Sequence, residues 1–181
     1  MNFRATNPIS RRALLPLIAI AALSPVLLVP SAARAQGADW QIYRREDLGF
    51  EIAMPGEPEV TVETGERGDP WVRAISAEVD VDQLHFGISY TEFAEPMSIA
   101  QLSAAQRAGA GHLGVDALRE TAIKMNGFPG LDLVGESDAF SIIMRIVVRE
   151  KQTISAAVTG TGNISADPSV RRFLDSFKLL P

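Results

Sequence analysis

The ten residues from Phe140 to Arg149 read "FSIIMRIVVR", and they decide the fold class. Every second position is apolar, which is the period of a β-strand with one buried face. These positions are Phe140, Ile142, Met144, Ile146 and Val148. The intervening face is mixed, with Ser141, Ile143, Arg145, Val147 and Arg149. Because this second face is also partly apolar, the pattern predicts a central strand whose second face is covered by a helix.

Similar strand patterns occur along the chain on both sides of this segment. They cover residues 40–43, 49–54, 59–64, 72–79, 84–93, 118–125, 130–136 and 153–159. In the third of these, Val60 and Val62 alternate with polar residues, and we expect both to point inward. Residues 72–79 and 84–93 are predicted to pair as a hairpin, with the turn supplied by "DVDQ" between them.

Two helices are predicted, and each has a recognisable start. Ser98 and Gln101 form a capping box, and the glycines at 109, 111 and 114 are expected to end that helix. At the C-terminus, Asp167 and Pro168 fit the cap and first position of a second helix. Its apolar positions recur at i, i+3, i+4 and i+7, and they are Val170, Phe173, Leu174 and Phe177.

The order of these elements favours one fold class. The helices follow runs of hairpin-like strands and do not alternate with them, which is typical of α+β proteins with an antiparallel sheet. We therefore predict an antiparallel β-sheet flanked by helices in a single domain.

The N-terminus carries a targeting pattern. An arginine-containing start without acidic residues is followed by an apolar run, residues 14–29, and then by "SAARAQ". Ala33 and Ala35 occupy the small-residue positions of a cleavage site, so we predict a cleavable signal peptide over residues 1–35 and a mature domain over residues 36–181. The apolar run is short for a membrane span, and no stable anchor is expected after cleavage.

The export route stays open at this stage. Arg11 and Arg12 resemble the arginine pair of a twin-arginine signal, but adjacent arginines also occur in ordinary signal peptides. Either route leads to a periplasmic or secreted protein.

Charge and cysteine content exclude several classes of function. Removing the four arginines of the signal peptide from the 17 Lys and Arg leaves 13 against 22 Asp and Glu, a net charge of −9. Nucleic acid and anionic membrane surfaces are poor partners for such a chain, whereas a cationic partner fits it. The absence of cysteine excludes disulfides, thiolate metal sites and a cysteine nucleophile.

The stretch "MPGEPEV", residues 54–60, follows a strand pattern and contains Glu57. Pro55 cannot continue a strand ladder, and Gly56 allows a positive φ. We interpret the stretch as a corner between two strands, because a lone carboxylate without an identified partner does not make an acid–base pair.

Other candidate sites have a structural explanation that we prefer. The G-x-G-x-x-G at 109–114 follows a helix, whereas a dinucleotide fingerprint follows a strand and opens a helix. His85 and His112 lack a second histidine at metal-ligand spacing. The acidic hairpin end with Glu78, Asp80 and Asp82 lacks the calcium-loop pattern, although cation binding there stays open.

Trp71 begins a strand near an acidic turn. An exposed tryptophan at this position would indicate a partner surface, and we expect packing at the sheet edge instead.

The order of motifs resembles that of the PsbP-like family, which includes PsbP, Ran-binding Mog proteins and bacterial DcrB-like proteins. The motifs are a strand ending in "PGEP", then "GFPGLDLVGE" (127–136), an alternating strand and a closing "RRFLDSFKL" (171–179). The resemblance covers about residues 40–180 and implies an α/β/α sandwich. It implies no shared activity, catalytic set or cofactor, since members mostly bind or support other proteins.

We therefore expect an exported accessory or protein-binding domain of the cell envelope, whose partner is another envelope protein. No catalytic, cofactor-binding or metal-binding residue is assigned. Two alternatives stay open: a periplasmic hydrolase-type enzyme that uses His85 or His112 with carboxylates, and a small-molecule or calcium binder.

Overall fold

The structure, a computed structural model, describes residues 39–115, 117–137 and 139–181. The predicted signal peptide lies outside these residues. Within them the chain forms, in order, β1 (Gln41–Arg45), β2 (Phe50–Met54), β3 (Glu59–Thr64), β4 (Trp71–Val81), β5 (Leu84–Phe93), α1 (Ile99–His112), β6 (Leu118–Met125), β7 (Phe128–Glu136), β8 (Ser141–Arg149), β9 (Gln152–Gly160), α2 (Pro168–Ser176) and β10 (Lys178–Leu179). No helix in the described ranges is long and apolar enough to cross a membrane.

The strands form two antiparallel sheets. In the described chain the large sheet has seven strands in the order β3-β4-β5-β9-β8-β7-β6, and the small sheet has three in the order β1-β2-β10. The segment of residues 140–149 contains β8, which lies between β9 and β7. The predictions of a central strand and of an α+β fold are confirmed.

One face of the large sheet is covered by α2 together with the small sheet. Phe173 of α2 and Phe50 and Ile52 of β2 join one apolar core with Ile143 and Val147 of β8. The predicted apolar stripe of the last helix is confirmed, with Asp167 as its N-cap and Pro168 at its first position. The helices therefore flank the sheet less completely than predicted, because the small sheet shares this face.

The opposite face of the large sheet is covered by α1 only in part. Leu102 packs with Leu131 and Leu133 of β7 and with Ile142 and Met144 of β8. On β3, β4 and β5 the same face carries mainly polar side chains, including Thr61, Ser76, Glu78, His85 and Ser89. The polar half of this face contains the candidate site.

Arg145 is a charged residue on the mixed second face of β8, and its hydrogen bonds account for its presence there. Its Nε and Nη2 donate to the two carboxylate oxygens of Asp132 on β7, at 2.8 and 2.9 Å. Its Nη1 donates to the carbonyl of Leu174 in α2, at 3.1 Å. The hydrogen bonds with Asp132 raise the pKa of Arg145 above its ordinary value. This charged residue therefore ties α2 to two strands of the large sheet.

The prediction that Val60 and Val62 point inward is wrong. They are 46% and 58% exposed. β3 is an edge strand, and the core on that face of the sheet reaches Ile75 and Ala77 of β4, the residues paired with the two valines, and ends there. The strand pattern was recognised correctly, but nothing in the described structure covers this face of β3.

The start of α1 is as predicted, and its end is not. The capping box of Ser98 and Gln101 is present. The helix continues through Gly109 and Gly111 to His112, and Gly114, with φ of +75°, follows it. Two of the three glycines therefore lie within the helix, and the last is the one in the left-handed conformation that favours helix ends.

Candidate functional site: the acidic cleft and the β3 edge

A cleft forms where β4 extends beyond the start of β3. β3 begins at Glu59, which pairs with Glu78, whereas β4 continues to Val81. The chain turns at Gly56, which has a φ of +143°, before β3 begins. This agrees with the interpretation of residues 54–60 as a corner between two strands. The resulting cleft has a volume of about 400 Å³, and we call it the acidic cleft. It is lined by Glu57, Glu59, Thr61, Glu78, Val79, Asp80 and His85.

Four of the seven lining residues carry carboxylates, and no Lys or Arg is among the described residues that line the cleft. Two strands and the corner supply these carboxylates. Glu57 comes from the corner, Glu59 from β3, and Glu78 and Asp80 from alternate positions of β4. Alternate positions of a strand point to one face of the sheet, so the register of the strands accounts for the local concentration of negative charge.

His85 lies between two of these carboxylates. Its Nδ1 is 2.8 Å from Asp80 Oδ1, and its Nε2 is 3.6 Å from Glu78 Oε2. Asp80 and His85 are directly opposite each other in the β4–β5 hairpin. The hairpin turns at Asp82 and Gln83, both with positive φ, as in the two-residue turns that suit β-hairpins.

The chemistry available at His85 is limited by its neighbours. Both ring nitrogens face carboxylates, and Thr61 carries the one hydroxyl side chain among the described residues that line the cleft. A serine-type relay needs a nucleophile hydrogen-bonded to the ring nitrogen that the orienting carboxylate leaves free, and in this cleft Glu78 occupies that direction. Within the described residues no group of three His, Asp or Glu side chains is placed to hold a metal ion.

β3 forms the outer wall of the cleft and one edge of the large sheet. All six of its residues are exposed. The amide of Gly65 donates to the carbonyl of Val72 at 2.9 Å, and this pair continues the register of β3 with β4. Since hydrogen-bonded and non-hydrogen-bonded pairs alternate along an antiparallel ladder, the amides and carbonyls of Val60, Val62 and Thr64 point away from β4. We call this outward row, with the side chains of β3, the β3 edge.

The structure brings together some of the residues singled out from the sequence and separates others. Glu57, Glu78, Asp80 and His85 meet in the acidic cleft, although no local sequence pattern connects the corner with the hairpin. Asp82 lies in the turn and is not among the cleft residues.

His112 and Trp71 lie outside the cleft. His112 is exposed at the end of α1. Trp71 is buried, at 9% exposure, opposite Phe93, which confirms edge packing for this tryptophan.

Sequence reasoning missed the roles of Glu59 and Thr61 and the pairing of His85 with Asp80. The last of these had a usable signal: a two-residue turn at 82–83 places residues 80 and 85 opposite each other. Glu59 and Thr61 had a weaker signal, because the loop at residues 65–70, which joins β3 to β4, is longer than the two-residue turns whose type fixes a hairpin register.

No family model matches the sequence, and no curated protein matches it. Among solved structures, the chain is similar to the solution structure of cyanobacterial PsbP (CyanoP) from Synechocystis sp. PCC 6803. The sequence identity is 10% and the TM-score 0.46, over 83% of this chain and 98% of that chain. At this TM-score we assign neither fold nor family from the similarity. We take no function from it.

Proposed function

We propose that this protein is an exported accessory domain of the cell envelope that binds another protein and has no catalytic activity of its own. Export is supported by the signal-peptide pattern of residues 1–35. Protein binding is supported by the β3 edge.

One observation carries the binding proposal. β3 is an edge strand with two exposed valines and an outward row of backbone donors and acceptors. Exposed edges of this kind are templates for pairing with another chain, and proteins ordinarily protect them. The charges of Glu59 and Glu63 limit unselective pairing, while the valines between them leave apolar surface for a partner.

The binding proposal is tested by recovery of a partner. The tagged full-length protein is expressed in its own host, cross-linked in intact cells and purified from the envelope fraction. We expect one envelope polypeptide to be recovered in constant ratio to the tagged protein. Recovery of the tagged protein alone would contradict the binding proposal, and turnover of a substrate by the purified protein would contradict the proposed absence of catalytic activity.

The export proposal has a separate test. N-terminal sequencing of the exported protein should find Gln36 as the first residue, and a start upstream of Leu14 would contradict it. Replacing Arg11 and Arg12 with lysines should stop export if the twin-arginine route is used. Unchanged export of that variant would favour the general route.

A hydrolase-type enzyme is the second candidate, and His85 is the observation that favours it. A histidine in a cleft within hydrogen-bond reach of a carboxylate is the minimum arrangement for acid–base catalysis. Substitution of His85 by alanine would abolish the cellular role of such an enzyme without unfolding it, whereas a binding domain would keep its role.

A further inference from the structure

We propose that the β3 edge takes up an extended basic segment of the partner protein as an additional strand of the large sheet. In this arrangement Lys or Arg side chains of the segment contact the acidic cleft. The inference rests on the proposed function, since it specifies how the partner of a binding domain would be recognised.

The backbone of β3 supplies the docking groups. The amides and carbonyls of Val60, Val62 and Thr64 point away from β4. In the described chain no further strand pairs with them. Addition of an extended peptide to a free sheet edge satisfies such groups and is a recurrent mode of peptide recognition. The geometry therefore fits a strand better than a helix or a folded surface.

The side chains of β3 define the composition of that strand. Val60 and Val62 lie on one face and Glu59, Thr61 and Glu63 on the other, because successive side chains alternate. Directly opposite residues of neighbouring strands contact each other, and opposite charges there are favourable. The partner segment should therefore alternate apolar residues with Lys or Arg.

Charge complementarity favours a basic segment and sets where its charges lie. The first residue of β3 borders the acidic cleft, where Glu57, Glu78 and Asp80 add to Glu59. At the other end of β3, Thr64 pairs with Arg73 of β4, so the negative charge is concentrated at the start of the strand. The basic residues of the segment are expected at that end.

A second copy of this chain fits the β3 edge poorly. An antiparallel pairing of two β3 strands that places Val60 opposite Val62 also places Glu59 opposite Glu63. Like charges directly opposite each other are destabilising, and both copies carry the same acidic cleft. A basic partner segment avoids this repulsion.

The opposite edge of the large sheet is less suited to docking. β6 keeps Leu118, Ile123 and Met125 partly buried, and its Glu120 is engaged by Ser103 and Arg107 of α1. On β3, by contrast, all residues are exposed. The edge beside the acidic cleft is therefore the better candidate.

The test uses a short fluorescein-labelled peptide in which Lys and Val alternate. Its binding to the full-length protein is measured by fluorescence anisotropy. We expect saturable binding that weakens with salt, since exposed charge pairs are screened. A scrambled peptide of equal composition, and a peptide N-methylated at alternate residues so that it cannot donate to a strand edge, should not bind.

Protein variants separate backbone pairing from charge. Val62→Pro removes an outward amide that β4 does not use, so it should preserve the fold and abolish binding. Val62→Lys, which retains the backbone amide, should also prevent binding by repelling the basic peptide. Glu59→Gln with Glu63→Gln should weaken binding roughly tenfold, whereas the matched surface pair Glu95→Gln with Glu150→Gln should leave it unchanged.

Several outcomes would overturn this inference. They are no peptide binding by the wild-type protein, equal binding of the scrambled peptide, or unchanged binding by folded Val62→Pro.

A dimer in sedimentation velocity that Val62→Pro dissociates would make a second copy the occupant. If the envelope partner is still recovered with Val62→Pro, the β3 inference fails and the proposed function stands. If the wild-type protein recovers no partner, the proposed function fails.

Discussion

The imidazole of His85 and the carboxylate of Asp80 are joined by a hydrogen bond of 2.8 Å between Nδ1 and Oδ1. Their pairing follows from the register of the β4–β5 hairpin, in which the two residues are directly opposite. A catalytic site and a surface ion pair can share this arrangement. The difference lies in what the other ring nitrogen faces, and here it faces Glu78 at 3.6 Å.

We therefore predict that His85→Ala combined with His112→Ala leaves the cellular role intact, because the four carboxylates of the acidic cleft, which are the groups proposed to contact a basic partner, are retained. With no cysteine in the chain, the two histidines are the side chains best suited to general acid–base catalysis. The measurement is complementation of a deletion phenotype, with folding checked by circular dichroism. If the folded double variant failed to complement while His112→Ala alone succeeded, the hydrolase hypothesis would move ahead of the binding proposal.

The packing of α2 gives a second prediction. Phe173 is fully buried, and its ring meets that of Phe86 edge to face with centroids 5.4 Å apart. Phe173→Ala and Phe177→Ala should each lower the free energy of unfolding by about 3–5 kcal/mol, as truncation of buried aromatic residues does. Denaturant melts measure the loss, and Arg171→Ala, at an exposed position of the same helix, should change stability by less than about 0.5 kcal/mol. Losses below about 1 kcal/mol for both phenylalanines would contradict their place in the core.

Two glycines give a third prediction, with effects of opposite sign. A Cβ at Gly130 of β7 would collide with the carbonyl oxygen of Ile146 on the neighbouring strand, whereas a Cβ at Gly111 of α1 would meet no atom within 4 Å. Gly130→Ala should destabilise by about 1–3 kcal/mol or more. Gly111→Ala should stabilise by about 0.5–1 kcal/mol, because alanine loses less backbone freedom in a helix. Thermal melts of the two variants that shifted in the same direction would be inconsistent with this packing.

The contact between α1 and β6 predicts a pH dependence. Glu120 accepts a hydrogen bond from Ser103 Oγ at 2.7 Å and pairs with Arg107. The hydrogen bond from Arg107 holds the pKa of Glu120 below its ordinary value of 4.5. A carboxylate with a lowered pKa in the folded state stabilises the fold above the unfolded-state pKa, and this contribution is lost as the pH falls through the folded-state pKa.

Glu120→Gln should therefore flatten the fall of stability with acidity below about pH 4.5. Arg107→Met should have the same effect, because it removes the group that lowers the pKa of Glu120. Urea melts between neutral and acidic pH measure both variants. An acid limb as steep as that of the wild-type protein would show that this contact does not contribute to the pH dependence.

The sequence by itself determined the local features of this protein. Strand period, helix caps and the two-residue turn depend on residues close together in the chain. For this reason β8, the capping box of Ser98 and the stripe of α2 could all be predicted before any contact was known. The pairing of Asp80 with His85 is equally local, because a two-residue turn fixes the register of its hairpin. It was missed because the prediction assigns the turn to all four residues of "DVDQ", whereas β4 continues to Val81.

Only the tertiary structure decided which strand lies at the edge and what its side chains face. The pattern of β3 predicts a strand with Val60 and Val62 on one face, but whether that face is buried depends on strand order. Strand order is set by pairing between distant segments, such as β5 with β9. The same long-range pairing decides how far α1, α2 and the small sheet extend over the large sheet. The acidic cleft exists because β4 is longer than β3 and because the corner at Gly56 places Glu57 in the same cleft as Glu78. No local pattern encodes the meeting of those two segments.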